Sequence, residues 1–184
     1  LEPQLCHPRV SSTPTQLVIL CIGTDRSTGD CLGPLVGTKL ASSGSLPPQV
    51  LLLGTLDEPV HAANLNHHLK ILNREYSHAY VLALDACLGR SENVGFISIK
   101  DGPLKPGTGV NKELAEVGAG HIIGVVNVGG FMEYFVLQNT RLSLVMRMAD
   151  MIASALIKTL GFYKAQCQHS DSAAPIPGSL SLKV

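Results

Sequence analysis

Four uninterrupted apolar runs constrain this chain more than any other feature: "QLVILCIG" (16–23), "QVLLLGT" (49–55), "HAYVLALDA" (78–86) and "HIIGVVNVGG" (121–130). A strand with one face in water alternates apolar and polar residues, whereas a run that is apolar throughout must be covered on both faces. The segments between the runs carry helical spacing. Buried strands alternating with helices predict an α/β architecture, a three-layer α/β/α sandwich with a mostly parallel central sheet. The 184 residues suit one such domain. Only 4% of them are aromatic and none is Trp, so small and aliphatic side chains must fill the core.

The spacing predicts a helix over 31–44, with Pro34 in its first turn and Gly44 as its stop. A second helix is expected to follow Asp57 as cap and Pro59 at its start, with Leu65, Leu69 and Leu72 on one stripe. "GFISIKDG" (95–102) alternates and reads as a more exposed strand. A turn of helix is expected near Lys112–Glu116. From Phe131 to Lys158 the apolar positions 131, 134, 135, 142, 145, 146, 149, 152, 153 and 156 predict one long amphipathic helix. After Tyr163 the composition turns to Ser, Pro, Ala and Gly. The expected organisation is a flexible segment at 1–15, a single domain at 16–163 and a flexible tail at 164–184.

Charge excludes one class of function. Lys plus Arg equals Asp plus Glu at 14 each, and no basic run departs from that balance, so affinity for nucleic-acid phosphates is not expected. No apolar stretch approaches the roughly 20 residues of a membrane span. The opening "LEPQLCHPRVSSTPTQ" lacks a basic stretch followed by an apolar one and does not read as a secretory leader. Five cysteines without a Cys-x-x-Cys suggest neither a disulfide framework nor a thiolate zinc cluster; they read as reduced thiols of a cytoplasmic protein.

Parallel sheets place their sites in the crevice beyond the carboxyl ends of the strands. The expected strand ends are Gly23, Thr55, Asp85 and Asn127, so residues just past them share one rim. The loop "IGTDRSTGDCLGPLVG" (22–37) opens that rim and allows three chemistries. A phosphate cradle fails: five residues rather than four separate Gly23 from Gly29, Asp30 stands where Lys-Ser/Thr is needed, and Gly-x-Gly-x-x-Gly is absent. No cofactor is therefore expected. A thiol nucleophile at Cys31 would gain from a helix N-terminus but lose to the adjacent Asp30, and no histidine pairs with it clearly.

The carboxylates remain. Asp30 in this loop and Asp85 at the tip of the third run are separated by 55 positions yet belong to one rim. Two carboxyl groups in reach of each other do not ionise together, so one acts as acid and one as base, able to activate water. Such a pair could also hold a divalent metal. Gly23, Thr28, Thr108 and Asn127 are the candidates for substrate contact around them. Asp25 reads as a solvated loop residue. His61, His67 and His68 lack a His-x-x-x-His pair and read as surface residues. The Met-bearing long helix reads as core or as an oligomer surface.

"GTDRSTGDCLGP" resembles the opening loop of the germination proteases of endospore-forming bacteria, through Gly23, Thr28, Asp30, Leu32, Gly33 and Pro34. "DACLGR" resembles their second aspartate segment. "KDGPLKPGTGV" resembles their Pro-Gly-Ser-Gly-Val loop with Thr108 for Ser, and "HIIGVVNVGGFME" the strand and helix start that follow. The chain is shorter than a full germination protease and is most similar to the small YyaC-type sporulation proteins. The wider superfamily includes the hydrogenase maturation proteases. The resemblance implies their phosphorylase/hydrolase-like three-layer fold, an aspartic-type peptidase acting through Asp30 and Asp85, and small acid-soluble spore proteins as substrates. It further implies a forespore or mother-cell cytoplasmic location, and the low charge and long apolar helix suit a homo-oligomer. The maturation proteases hold a metal with two acidic residues and a histidine. Residues 101–117, where that histidine is expected, contain none, which favours a metal-free pair here. The readings left open beside it are a partner-binding protein with a vestigial pair and a metal-dependent maturation endopeptidase.

Overall fold

The computed structural model describes residues 16–106 and 115–170, the side chains of 163–170 excepted. The chain folds as an α/β/α sandwich around a five-stranded sheet ordered β2-β1-β3-β5-β4. The strands are β1 (Leu17–Cys21), β2 (Val50–Leu53), β3 (Tyr80–Gly89), β4 (Ile97–Asp101) and β5 (Gly120–Val128). β1, β2, β3 and β5 run parallel, and β4 closes one edge antiparallel to β5. Ile19 lies level with Leu52 on one side and Leu82 on the other, which fixes the centre of the register.

β1 is apolar at every position because both of its faces are covered. Ile19 and Cys21 pack toward α1 (Leu32–Ser42) and α4 (Leu142–Ser170), while Val18 and Leu20 pack toward α2 (Leu65–Glu75). The α1/α4 face holds the larger apolar cluster, with Leu32, Val36 and Leu40 meeting Val145, Met148 and Ile152. Each fully buried aliphatic side chain there contributes about 1.5–3 kcal/mol. The α2 face has a smaller cluster around Leu65, Leu72, Val60 and Ala83.

Four expectations are corrected. The second helix begins at Leu65, not after Asp57, because Val60 is drawn into a parallel bridge with Ile22, and Asn64 ties the chain through bonds to His61 N–H and from its Nδ2 to Pro59 O. β3 does not end at Asp85 but continues to Gly89, because β5 runs on beside it to Val128 while β1 stops at Cys21. The helix expected over 131–158 is two helices, α3 (Glu133–Gln138) and α4, broken where Thr140 turns back to bond Val136 O. As a result Phe131, Tyr134 and Phe135, expected in the apolar stripe, are exposed. Finally, α4 runs past Tyr163 to Ser170, into residues expected to be tail. Residues 1–15 and 171–184, Thr108, and the helical turn expected from Lys112 lie wholly or mostly outside the described residues.

Candidate functional site

Asp85 is placed by the unequal lengths of neighbouring strands. The β1–β3 pairing ends at Cys21↔Leu84, so Asp85 is the first β3 residue beyond the end of β1. Its other neighbour remains paired, Asp85 lying level with Ile123. Side chains alternate across a strand. Val81 and Ala83 point into the α2-side cluster, and Asp85 continues that series at the point where the core gives way to a cleft. It is only 7% exposed, and one carboxylate oxygen accepts the Ala86 N–H at 2.8 Å.

Asp30 comes from a 3-10 turn (Gly29–Cys31) that leads into α1. Two close approaches fix that turn. At Gly23, where φ is +143°, a Cβ would stand 2.0 Å from Asp30 O, so only glycine lets the end of β1 pass so close. Thr24 N–H then donates to Asp30 O at 3.1 Å. On the far side, a Cβ at Gly29 would meet Leu137 Cδ2 at 2.8 Å and Thr140 Oγ1 at 2.9 Å, so the α3–α4 junction rests directly on the turn. Burial pushes the Asp30 carboxyl above its ordinary value, with the nearby His61 and the Thr24 N–H acting against the rise.

Asp30 and Asp85 line one cleft of about 830 Å3. Its walls also carry Arg26, Ser27, His61, Cys87 and Lys105, and an apolar lip formed by Phe131, Met132 and Tyr134. Met132 adopts the left-handed conformation, φ 49°, at the turn into α3. Phe131 is 81% exposed, an uncommon condition for so large an apolar residue beside a cleft. Ser27 Oγ is buried and has no hydrogen-bond partner among the described residues.

Gly23, Thr28 and Asn127 are not among the residues lining the cleft. Gly23 shapes the turn, and Thr28 uses its carbonyl to accept the Cys31 Sγ–H at 2.9 Å. Asn127 faces the α3–α4 junction: its Nδ2 donates to Thr140 Oγ1 at 3.2 Å and its Oδ1 accepts the Val128 N–H at 2.9 Å. Cys31 is buried, and burial, with Asp30 and Asp25 nearby, pushes its thiol up against the lowering effect of a backbone bond. Cys87 is pushed up to about 11 by burial and then by Asp85. Neither thiol is poised as a nucleophile.

His61, which the sequence pattern left at the surface, stands in the cleft wall with Asp30. Among the described residues no three His, Cys, Asp or Glu side chains gather as a metal-binding set. No helix among the described residues is long and apolar enough to cross a membrane.

A mostly parallel sheet between helical layers, with a cleft opening beyond its strand ends, defines a protein with the hydrogenase maturation protease fold. The structure is similar to the [NiFe] hydrogenase maturation protease HycI from Thermococcus kodakarensis KOD1, with a TM-score of 0.55 and 19% identity, covering 83% of this chain and 96% of that one. It is similar also to peptidyl-tRNA hydrolase from Acinetobacter baumannii, with a TM-score of 0.54 and 13% identity, covering 87% and 93% of the two chains. At such identities the likeness is one of fold, and that fold carries more than one activity. The chain belongs to the family described as "Protein of unknown function (DUF1256)", whose pattern it matches over residues 3–155. It is 56% identical over 143 residues to the Bacillus subtilis (strain 168) uncharacterized protein YyaC, covering 78% of this chain and 69% of that protein.

Proposed function

We propose that this protein is a peptide-bond hydrolase in which Asp30 and Asp85 act on a water molecule. The observation that carries the reading is the cleft itself: two acidic residues from segments far apart in sequence line one opening, Asp85 buried and Asp30 half-buried. In this mechanism the two carboxyl groups work in different protonation states, and the burial that raises the Asp30 carboxyl favours Asp30 as the protonated member. The ionised carboxylate accepts a proton from water as that water attacks a peptide carbonyl. The protonated one donates a hydrogen bond to the carbonyl oxygen as negative charge develops there. Arg26, Ser27 and the Phe131–Tyr134 lip offer polar and apolar contacts for an extended polypeptide.

The resemblance of the Asp30 and Asp85 segments to those of germination proteases supports a protein substrate, small acid-soluble spore proteins being the candidates. A second reading rests on the exposed apolar surface of Phe131, Met132, Tyr134 and Phe135: a protein that binds a partner or a second copy of itself there, with the pair unused. Incubation with spore proteins and with an unfolded model protein separates the two. Asp30→Asn and Asp85→Asn are each expected to abolish cleavage while circular dichroism stays native. Full activity in either variant refutes the mechanism, and lack of turnover by the wild-type protein, with sedimentation showing a stable complex, favours the second reading.

A further inference from the structure

The loop from β1 to the 3-10 turn is closed at its base by Thr24 N–H, which donates to Asp30 O at 3.1 Å. At its tip Asp25 and Arg26 are exposed, but the next residue, Ser27, is drawn inward and is only 8% exposed. A hydroxyl just ahead of a helical turn ordinarily accepts a backbone N–H. The same loop uses Thr24 in this way, its Oγ1 accepting the Arg26 N–H at 3.3 Å. Ser27 does not follow: its Oγ is buried with no hydrogen-bond partner among the described residues. A buried hydroxyl left without a bond costs stability, and in a native fold it calls for an explanation.

Its surroundings supply one. Ser27 lines the cleft that holds Asp30 and Asp85. Among the described residues of that cleft, Ser27 and Asp85 are the two polar side chains that are buried. They are opposite in kind. An ionised carboxylate only accepts hydrogen bonds, and Asp85, Asp30 and Glu133 all line the cleft, whereas a serine hydroxyl can donate. The carbonyl oxygen of a polypeptide also only accepts. A wall of carboxylates offers it little unless a donor stands among them. Lys105 is engaged by Glu116 at 2.9 Å, and Arg26 and Tyr134 are exposed.

We propose that Ser27 is a substrate-contacting residue, whose hydroxyl donates a hydrogen bond to a main-chain carbonyl oxygen of a polypeptide in the cleft. This rests on reading the cleft as a polypeptide site, and it names the group that grips the backbone rather than a particular side chain. Ser27 Oγ exposes almost no surface of its own, so the contact takes a turn of χ1 from one staggered position to another. The Thr24–Asp30 bond keeps the loop backbone in place meanwhile. The bond missing in the free protein is completed by the ligand, and a loss of stability becomes affinity.

Two measurements on the full chain test this. In thermal unfolding without ligand, Ser27→Ala should leave Tm unchanged or raise it by up to about 6 °C, because the hydroxyl removed has no partner. Anisotropy of fluorescein-labelled casein, an unfolded protein, reads binding in Asp30→Asn, where cleavage is expected to stop. Adding Ser27→Ala should weaken that binding about 3–10-fold, the worth of one neutral hydrogen bond. Ser27→Cys, a much weaker donor of similar shape, should weaken it likewise, and it decides the matter if Ser27→Ala does not fold. A Tm lowered by several degrees would show that the hydroxyl already has a partner within the fold. That result, an affinity indifferent to Ser27, or no binding of casein at all overturns the proposal. Casein held through Ser27 but never cleaved by the wild-type protein keeps this contact and removes the hydrolase reading; cleavage with binding indifferent to Ser27 does the reverse.

Discussion

Asn127 offers the sharpest separation between a structural and a ligand-binding role. It is the next-to-last residue of β5, and its amide spans from the strand to the α3–α4 junction. Nδ2 donates to Thr140 Oγ1 at 3.2 Å and reaches Val136 O at 3.4 Å, while Oδ1 accepts the Val128 N–H at 2.9 Å. Thr140 Oγ1 itself donates to Val136 O at 2.9 Å. The junction rests on Gly29, beside Asp30. Asn127→Ala removes the amide and leaves Thr140 with its own bond. A lost network of this kind, in a half-buried place, costs about 1–3 kcal/mol. For a chain of this size each kcal/mol lowers Tm by about 2–4 °C, so the expected loss is about 2–12 °C. Thermal unfolding of the full chain by circular dichroism reads this directly. A double-mutant cycle with Thr140→Val should return a coupling of about 0.5–1.5 kcal/mol, since the two side chains share a bond. An unchanged Tm, no coupling and a weakened KM for a peptide would show that Asn127 faces a ligand, and the structural assignment would fall.

Two more perturbations test the turn and its support. Burial raises the Asp30 carboxyl in the folded state, with His61 and the Thr24 N–H opposing the rise. The folded protein therefore binds this proton more tightly than the unfolded chain, and stability is lost as pH rises through the raised titration. Asp30→Asn should be more stable than wild type at neutral pH, and the difference should vanish below the ordinary carboxylate range; thermal unfolding across pH measures it, and a less stable variant at neutral pH contradicts the assignment. Gly33→Ala should lose stability by about 3 kcal/mol or more, because the new Cβ would lie 2.1 Å from Ile22 O. In an open helix the same change stabilises by roughly 1 kcal/mol, so the sign in urea unfolding decides.

The sheet was legible because its information is local. A residue such as Leu20 must be apolar on its own account, and so must its neighbours on both faces. The rim of a parallel sheet likewise brings Asp30 and Asp85 to one cleft, since parallel strands put their carboxyl ends together. What could not be read depends on partners distant in sequence. β3 continues past Asp85 only because β5 does. The 57–64 segment resembles a helix start until Val60 bridges Ile22, and His61 then moves from the surface to the site. The break between α3 and α4 is invisible to periodicity, because a short reversal hardly disturbs the spacing of apolar residues. Phe135 is counted into the stripe although it faces outward. Asn127 was assigned to substrate because strand ends usually line the crevice, and only the position of Thr140 shows what its amide holds.

The unequal apolar clusters on the two faces of the sheet give the molecule a heavy side and a light side. Free energies of partial opening scale with the contacts given up. The light side is therefore the first to lift, and it is the side on which Asp85 points outward from β3. Raising α2 and its preceding loop would leave the backing of α1 and α4 closed. The hinge of such a movement would be the stitch between Ile22 and Val60, three residues before Asp25, the nearest ionisable side chain on β1's own loop.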